Sequence, residues 1–444
     1  MAKTALAAAL LAVAGCTARG GSDPPAQGLE PPAPTPEGAA CVACHREATP
    51  AIVTDWESSA HARGEVDCAT CHGTAHSSAE DAAEVAAITA ETCAACHPDQ
   101  FEQFARGKHS RAWQSMRAMP TVHWQPAELT GGLKGCGGCH KIGLKSKEEV
   151  EALRASGSGY GLASCDSCHT RHTFAKSEAR EPEACATCHV GYDQPQWQMY
   201  RDSKHGVRHA LRREGALPPA ASAPACQDCH MEGGNHEVRT AWGYFGLRMN
   251  GMGRHPDDTL DWWEDRLTIL TALGVLSPEG EATDRLETFE TLQILRTSTE
   301  EFDRERQRMA AICARCHSPA FARAEFEKAD GMVRESDRML AEAIRIVAAL
   351  YADGVLRQPA DYRYPFPDLL TLLDAPTLIE TRLSQMHLKH RMRAFKGAFH
   401  SSPDYALWHG WSELEADLSL ITERARELRE RHAAREEVGH AGDR

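Results

Sequence analysis

Several common features are missing from this 444-residue sequence, and each absence narrows what the chain can be. Of its 17 cysteines, only Cys16 lies outside one short repeated string, so no pair remains for a structural disulfide. No uninterrupted apolar stretch reaches about 18 residues, the length that a membrane-spanning helix needs. Positive charge is not in excess either. The formal net charge is −14, which argues against nucleic acid or a bare anionic membrane as a partner.

The repeated string is Cys-x-x-Cys-His, and it occurs eight times. In each copy the two cysteines can form thioethers to a haem, and the histidine then lies under the iron as an axial ligand. A single copy could be a zinc half-site or a redox dithiol, but eight copies predict eight covalently attached c-type haems. The cysteines are Cys41, Cys44, Cys68, Cys71, Cys93, Cys96, Cys136, Cys139, Cys165, Cys168, Cys185, Cys188, Cys226, Cys229, Cys313 and Cys316. The histidines are His45, His72, His97, His140, His169, His189, His230 and His317.

The spacing of the motifs predicts the fold class. Seven of them fall between residues 41 and 230, which leaves little polypeptide there for a protein-only core. The low aromatic content of 6% agrees, because porphyrins would supply the aromatic surface. We predict a mainly α multihaem cytochrome c, with a haem-packed region at 41–258 and a helical region at 259–444. The helical region carries the eighth motif and long C-terminal helices.

Helical periodicity is clear in the C-terminal region. It predicts a helix at 318–351, another at 377–398, and a third beginning at Ser402, whose proline at the first position is a typical start. The third helix has an apolar stripe that we expect to lie on one face. Its members are Tyr405, Trp408, Trp411, Leu414, Leu418, Ile421, Ala425 and Leu428.

The N-terminus explains the one spare cysteine. Residues 1–15 have the composition of a signal peptide, and the small residues before Cys16 predict a lipidated cysteine. The alternative is an ordinary signal peptide that is cut nearby. Residues 16–40 would then be the lipidated cysteine and a flexible tether. We expect an exported, membrane-anchored lipoprotein on the periplasmic side, which agrees with haem attachment outside the cytoplasm.

Histidines outside the motifs are candidates for the second axial position of each iron. Some lie between motifs or shortly after one, although each could instead be a surface or hydrogen-bonded histidine. His123 could line the open face of the haem on His140 or bind another iron. The other candidates are His61, His76, His109, His172, His205, His236, His390 and His400.

Stretches between the motifs resemble the octahaem hydroxylamine oxidoreductases and their nitrite-reducing relatives. The resemblance covers nearly everything after residue 40. It is carried by Cys165-Asp-Ser-Cys-His-Thr-Arg-His172, Gly191-Tyr-Asp-Gln-Pro-Gln-Trp197, Ser203-Lys-His-Gly206, Thr240-Ala-Trp-Gly243 and Phe399-His-Ser-Ser-Pro-Asp-Tyr405.

The resemblance implies a largely helical homotrimer with seven bis-histidine haems. The haem on His140 would keep one open face, with Asp193 as the active-site carboxylate. Tyr405 matches a tyrosine that the oxidising enzymes join covalently to that haem. Two departures bear on the activity. Gln194 stands where the family often has histidine and cannot take a proton, and Leu407 replaces another family histidine.

Two kinds of function follow from these features. The first is an enzyme that oxidises hydroxylamine or hydrazine at the open haem, or reduces nitrite or hydroxylamine there in reverse. Its substrate would be a small nitrogen compound, and its redox partner a cytochrome or a quinone-linked protein. The second is a lipoprotein that only transfers electrons and needs eight bis-histidine haems. Fifteen histidines outside the motifs do not exclude it.

Overall fold

The chain is helical in the computed structural model. The structure describes residues 35–118, 139–155, 164–240, 254–295, 298–358, 360, 362–372 and 377–442, with side chains as far as residue 438. Within these ranges the one β-type pairing is an isolated bridge between Leu276 and Ala282. The predicted signal peptide, Cys16, His123 and Cys136 lie outside the described residues. No helix of the described ranges has both the length and the apolar character that crossing a bilayer requires.

The predicted haem-binding region consists of short helices joined by loops, as expected for a chain that wraps around cofactors. Its α-helices are α1 (Pro36–Ala48), α2 (Pro50–Ser58), α3 (Ala60–Arg63), α4 (Cys68–His72), α5 (Ala90–Ala94), α6 (Pro98–Arg106), α7 (Ala112–Ala118), α8 (Lys147–Ala155), α9 (Lys176–Ala179), α10 (Glu183–Ala186), α11 (Gln196–Asp202), α12 (Lys204–Arg213) and α13 (Cys226–His230). Its 3₁₀ turns are Ala82–Glu84, His109–Arg111, Cys165–Ser167 and Glu232–Gly234.

Helical structure begins inside the segment that the sequence assigned to the tether. Helix α1 begins at Pro36, inside the segment assigned to the tether, and Thr35 caps it by accepting a hydrogen bond from the Gly38 N–H at 3.1 Å. Asp67 Oδ2 accepts from the Thr35 hydroxyl at 2.5 Å, which ties this helix start to α4. The first haem motif is therefore held in a capped helix rather than at the end of a loose segment.

The C-terminal region contains the long helices. They are α14 (Leu260–Ala272), α15 (Asp284–Thr291), α16 (Thr299–Cys313), α17 (Pro319–Ala352), α18 (Leu378–Gln385), α19 (Met392–Phe399), α20 (Pro403–Ala406) and α21 (Ser412–Gly442). The helices expected at 318–351 and 377–398 and the helix start at Ser402 are confirmed within about a residue. Ser402 is the N-cap but makes no capping hydrogen bond through its side chain.

Two π-helical segments interrupt this pattern, and the sequence did not predict them. They are π1 (Met386–Arg391), between α18 and α19, and π2 (Leu407–Trp411), between α20 and α21. A π-turn adds one residue to a helical turn, so the residues that precede it are rotated onto another face of the helix. The expected single apolar stripe is therefore wrong at its start. Trp408 is 69% exposed, whereas Leu414 is fully buried.

The large apolar core lies in the C-terminal region, where α17 packs against α14, α19 and α21. A buried ion pair crosses this core. Asp337 accepts hydrogen bonds from Arg391 at 2.6 and 2.8 Å and from Trp262 Nε1 at 2.9 Å. The haem-binding region, in contrast, has few and scattered buried apolar residues, such as Val53 and Met199. This difference fits a core that porphyrins supply.

Candidate functional site

Fourteen histidines of the described ranges form seven pairs, each joining a motif histidine to one from outside the motifs. In every pair the ring centroids are 6.1 to 6.3 Å apart. Two imidazoles that bind one metal ion from opposite sides through bonds of about 2 Å have ring centres about 6 Å apart. The spacing therefore leaves room for one iron in each pair. The pairs are His45–His76, His61–His97, His72–His172, His109–His189, His169–His236, His205–His317 and His230–His400.

The hydrogen bonds of these rings also fit iron ligands. In several of them Nδ1 is already engaged, which leaves Nε2 for a metal and fixes the orientation of the ring. The contacts are His45 with Thr49 Oγ1 (2.8 Å), His76 with Asp81 Oδ1 (2.8 Å), His189 with Gln196 Oε1 (3.2 Å), His230 with the Arg239 carbonyl (2.8 Å) and His400 with the Lys396 carbonyl (2.7 Å).

Three of the paired histidines from outside the motifs, His61, His109 and His205, share one local structure. Each lies two residues after a helix end at which the chain turns directly into a new helical turn. The residue at the helix end is Ser59, Gly107 or Ser203, with φ between −79 and −76° and ψ between 162 and 166°. Its N–H donates to the carbonyl of an aromatic residue three positions earlier, which is Trp56, Phe104 or Tyr200.

Small residues complete this local structure. The residue after each histidine is buried and small, namely Ala62, Ser110 or Gly206. A Cβ atom at Gly206 would lie 2.1 Å from the Tyr200 carbonyl oxygen, so only glycine allows α12 to approach α11 this closely. The sequence has the same seven-residue pattern at all three sites. It consists of an aromatic residue, two variable residues, serine or glycine, one variable residue, histidine, and a small residue. It distinguishes these three histidines from the other candidates that the sequence offered.

His140 is the motif histidine that the described residues leave outside the seven pairs. Its Nδ1 is 3.2 Å from the Ala112 carbonyl oxygen, so Nε2 is the nitrogen available to iron, as in the paired rings. The tight contact of Gly143 with Trp113 fixes the neighbouring turn, because a Cβ at Gly143 would lie 2.4 Å from the Trp113 nitrogen. The other predicted lining residue, His123, lies outside the described residues.

Asp193 lies near the motif of His140. Cys139 and Cys188, both expected to form haem thioethers, lie side by side, and the negative charge of Asp193 acts on the sulfur of Cys139. The fourth and sixth motifs are therefore neighbours, and the carboxylate of Asp193 is close enough to act on Cys139. This brings together His140 and Asp193, two of the residues that the sequence predicted for the site.

A buried lysine that sequence reasoning missed joins this group. Lys396, in α19, is 7% exposed and donates to the Asp193 carbonyl oxygen at 2.8 Å and to Gln194 Oε1 at 2.9 Å. Burial lowers the pKa of Lys396 to about 7, and the Asp193 charge opposes this effect. No motif marks Lys396, because it lies about two hundred positions from Gln194 along the chain.

Two further predicted residues occupy different surroundings. His390 lies in π1 with Nδ1 2.5 Å from Asp417 Oδ2, and both side chains are buried. Among the described residues its close partner is this carboxylate, and it belongs to none of the seven pairs. Tyr405 is half-buried in α20, with its ring centre 4.9 Å from that of His409.

Comparisons with known proteins agree with this architecture. A family profile described as "Seven times multi-haem cytochrome CxxCH" matches residues 64–269 and 290–363. The chain is 26% identical, over an alignment of 496 residues, to the "Probable nitrite reductase-hydroxylamine oxidoreductase fusion protein" of Kuenenia stuttgartiensis. That match covers 88% of this chain and 51% of the relative, so the chain spans about half the length of the relative.

Two solved structures share the fold. One is a "reducing HAO-like protein complex" of Kuenenia stuttgartiensis, with a TM-score of 0.66 and 23% identity. The match covers 90% of this chain and 87% of that one. The other is described as a "Hypothetical multiheme protein", with a TM-score of 0.63, 20% identity, and coverage of 90% of this chain and 97% of that one.

Proposed function

Because the chain belongs to the multihaem cytochromes with CxxCH motifs, we propose that it carries eight covalent haems and converts a small nitrogen compound at the iron of His140. The observation that carries this proposal is the division of the motif histidines. Seven have a second imidazole at the distance of a shared iron, and His140 does not within the described residues. An iron with imidazoles on both faces can pass electrons but has no position for a substrate.

The residues around His140 would transfer protons, whereas the haems would transfer electrons. The haem iron supplies a binding position for the nitrogen compound and a route for electrons. Asp193 would accept a proton from hydroxylamine or deliver one to nitrite, according to direction. Gln194 can contribute only hydrogen bonds. The Kuenenia stuttgartiensis relative is named for both nitrite reductase and hydroxylamine oxidoreductase, so the likeness supports the substrate class rather than one direction.

The competing function is a lipoprotein that only transfers electrons. Electron paramagnetic resonance of the oxidised holoprotein separates the two. We expect one high-spin haem per chain whose spectrum responds to nitrite, hydroxylamine or cyanide. Only low-spin haems, with no response to any of these ligands, would make the protein an electron carrier. Mass spectrometry of the mature chain should show eight haem additions.

A second copy of the chain is the partner that the surface around Tyr405 would suit. Leu407, Trp408 and Trp411 are 47%, 69% and 37% exposed and follow Tyr405 in π2. Exposed aromatic residues are enriched in subunit interfaces. We propose that this surface contributes to a homotrimer, and that Tyr405 faces a neighbouring copy. Trp408→Lys should shift the mass of the particle towards the monomer in light scattering. An unchanged trimer would exclude this surface.

The membrane anchor and the periplasmic location remain proposals, since residues 1–34 lie outside the described ranges. Their support is the agreement between an export signal and covalent haem attachment. Cys16→Ser should release the mature protein from the membrane fraction without loss of haem. Its redox partner, a cytochrome or a quinone-linked protein, would then be reached from the membrane surface. A variant that stays in the membrane fraction would exclude the lipid as the anchor.

A further inference from the structure

Gln194 lies at the centre of a hydrogen-bonded group that links it to Gln196, His189 and Lys396. Its side-chain oxygen accepts two hydrogen bonds, from Lys396 Nζ at 2.9 Å and from Gln196 Nε2 at 2.7 Å. The Oε1 atom of Gln196 is in turn 3.2 Å from His189 Nδ1. The group thus connects a predicted iron ligand with a residue of the proposed active site.

The tautomer of His189 fixes the direction of the hydrogen bonds in this group. An imidazole that binds iron through Nε2 carries its proton on Nδ1 and donates there. Gln196 must then accept with its oxygen and donate with its amide nitrogen. Gln194 receives that bond, and a second from Lys396, on its own oxygen. Both lone pairs of the oxygen are used, so the N–H groups are what Gln194 can offer to a ligand.

Lys396 strengthens this polarity. When Lys396 is protonated, this donor on the amide oxygen draws electron density from the amide nitrogen and makes its N–H groups stronger donors. Burial strengthens the action of this charge because water is excluded. It also lowers the pKa of Lys396 to about 7, and a neutral Lys396 donates the same hydrogen bond with a weaker polarising effect. The second bond of Lys396, to the Asp193 carbonyl at 2.8 Å, holds the backbone of the same turn in place.

We infer that Gln194 is a specificity-determining donor for an oxygen of nitrite, and that Lys396 is the positioning residue that orients and polarises it. The inference rests on the proposed function, because it needs a nitrogen compound at the iron of His140. Nitrite is an anion whose oxygens accept hydrogen bonds. Oxidation of hydroxylamine, in contrast, needs a group that accepts its protons, and the Gln194 oxygen has no lone pair left for a ligand. The group therefore favours nitrite as the substrate and reduction as the direction.

Ligand titrations of the oxidised holoprotein test this inference. Gln194→Leu and Lys396→Met should each raise the Kd for nitrite by roughly tenfold to a hundredfold, the scale of losing a hydrogen bond to a charged group. The Kd for hydroxylamine should rise less, by about twofold to tenfold, since hydroxylamine is neutral and a hydrogen bond to a neutral acceptor is weaker than one to an anion. Haem content, measured for every variant, shows that the variants are assembled.

A double-mutant cycle separates positioning from a general effect of charge. Because Lys396 acts through Gln194, Lys396→Met should add less than about twofold to the nitrite Kd once Gln194→Leu is present. Lys389→Met is the matched control. It removes the same charge seven positions earlier, from an Nζ that lies 6.0 Å from the centre of the Tyr192 ring. Its nitrite Kd should stay within about twofold of the wild type.

Three results would overturn the inference. The first is an equal loss of nitrite and hydroxylamine binding. The second is a Lys396→Met effect of the same size in both backgrounds, which would mean that Lys396 acts by charge alone. The third is an unchanged nitrite Kd in Gln194→Leu. This variant tests the inference by itself if Lys396→Met loses its haems. If the wild type responds to neither ligand, the proposed function itself fails, and this outcome is distinct from the other three.

Discussion

Replacing His205 with alanine should convert one haem from low spin to high spin. The ring centres of His205 and His317 are 6.1 Å apart, so an iron between them would be about 3 Å from each. Removing one ring leaves that iron with His317, whose ring stacks on Phe321 at 4.8 Å. With one high-spin haem expected in the wild type, integration of the resonance spectrum should give two per chain in His205→Ala, with an unchanged total of eight haems.

His209 provides a matched control in the same helix, one turn further along α12. It is also buried, but its Nε2 is 3.1 Å from Glu181 Oε2 and it belongs to none of the seven pairs. His209→Ala should therefore leave the spin count unchanged. Added imidazole should restore the low-spin signal of His205→Ala by filling the space left by the ring. An unchanged spectrum in His205→Ala, or the same change in His209→Ala, would refute the reasoning from paired rings. His390→Ala, measured in the same way, tests the remaining predicted ligand, for which the lack of a ring partner among the seven pairs of the described ranges predicts no change.

Three further predictions concern the site, the core and the first haem. Asp193→Asn should lower turnover with nitrite or hydroxylamine roughly a hundredfold, the scale of losing a general acid or base, and steady-state assays with unaltered haem spectra as the control would show this. Asp337→Ala should lower the free energy of unfolding by about 3–5 kcal/mol, because it leaves the buried Arg391 without its carboxylate. The control is Glu335→Ala, in the exposed pair with Arg338, which should cost no more than about 1 kcal/mol in the same denaturant titration. Asp81→Asn should raise the reduction potential of the haem on His45, since a carboxylate 2.8 Å from His76 Nδ1 makes that imidazole a stronger electron donor. Because water screens Asp81, the rise measured by spectroelectrochemistry should stay below roughly 59 mV, which is a tenfold change in a one-electron equilibrium. An unchanged or lower potential would refute this.

The features that local sequence determines were predictable. Each haem motif has its ligands within five consecutive residues, so its chemistry needs no knowledge of the fold. The long helix α17 was predictable for a similar reason, since its apolar period and its Ser318 cap are both local. The change from short helices to long ones near residue 259 followed from the density of motifs.

The pairing of histidines and the surroundings of Gln194 were not predictable in this way. His205 meets His317 across 112 positions, and nothing near either residue specifies the other. His390 resembles a distal ligand in sequence, but among the described residues it belongs to none of the seven pairs, and its close partner is Asp417, 27 positions later. The π segments escape periodicity analysis because one added residue disturbs the apolar repeat without an obvious marker in composition.

The helix-end structure shared by His61, His109 and His205 supplies the second axial histidine from one short local segment. It spans seven residues, and its partner motif can lie far along the chain, as the 112 positions between His205 and His317 show. A haem held in this way therefore draws its two axial ligands from two short segments that need not be close in sequence. This seven-residue helix end, placed opposite a single CxxCH motif, offers a direct route to new electron-transfer centres in designed helical proteins.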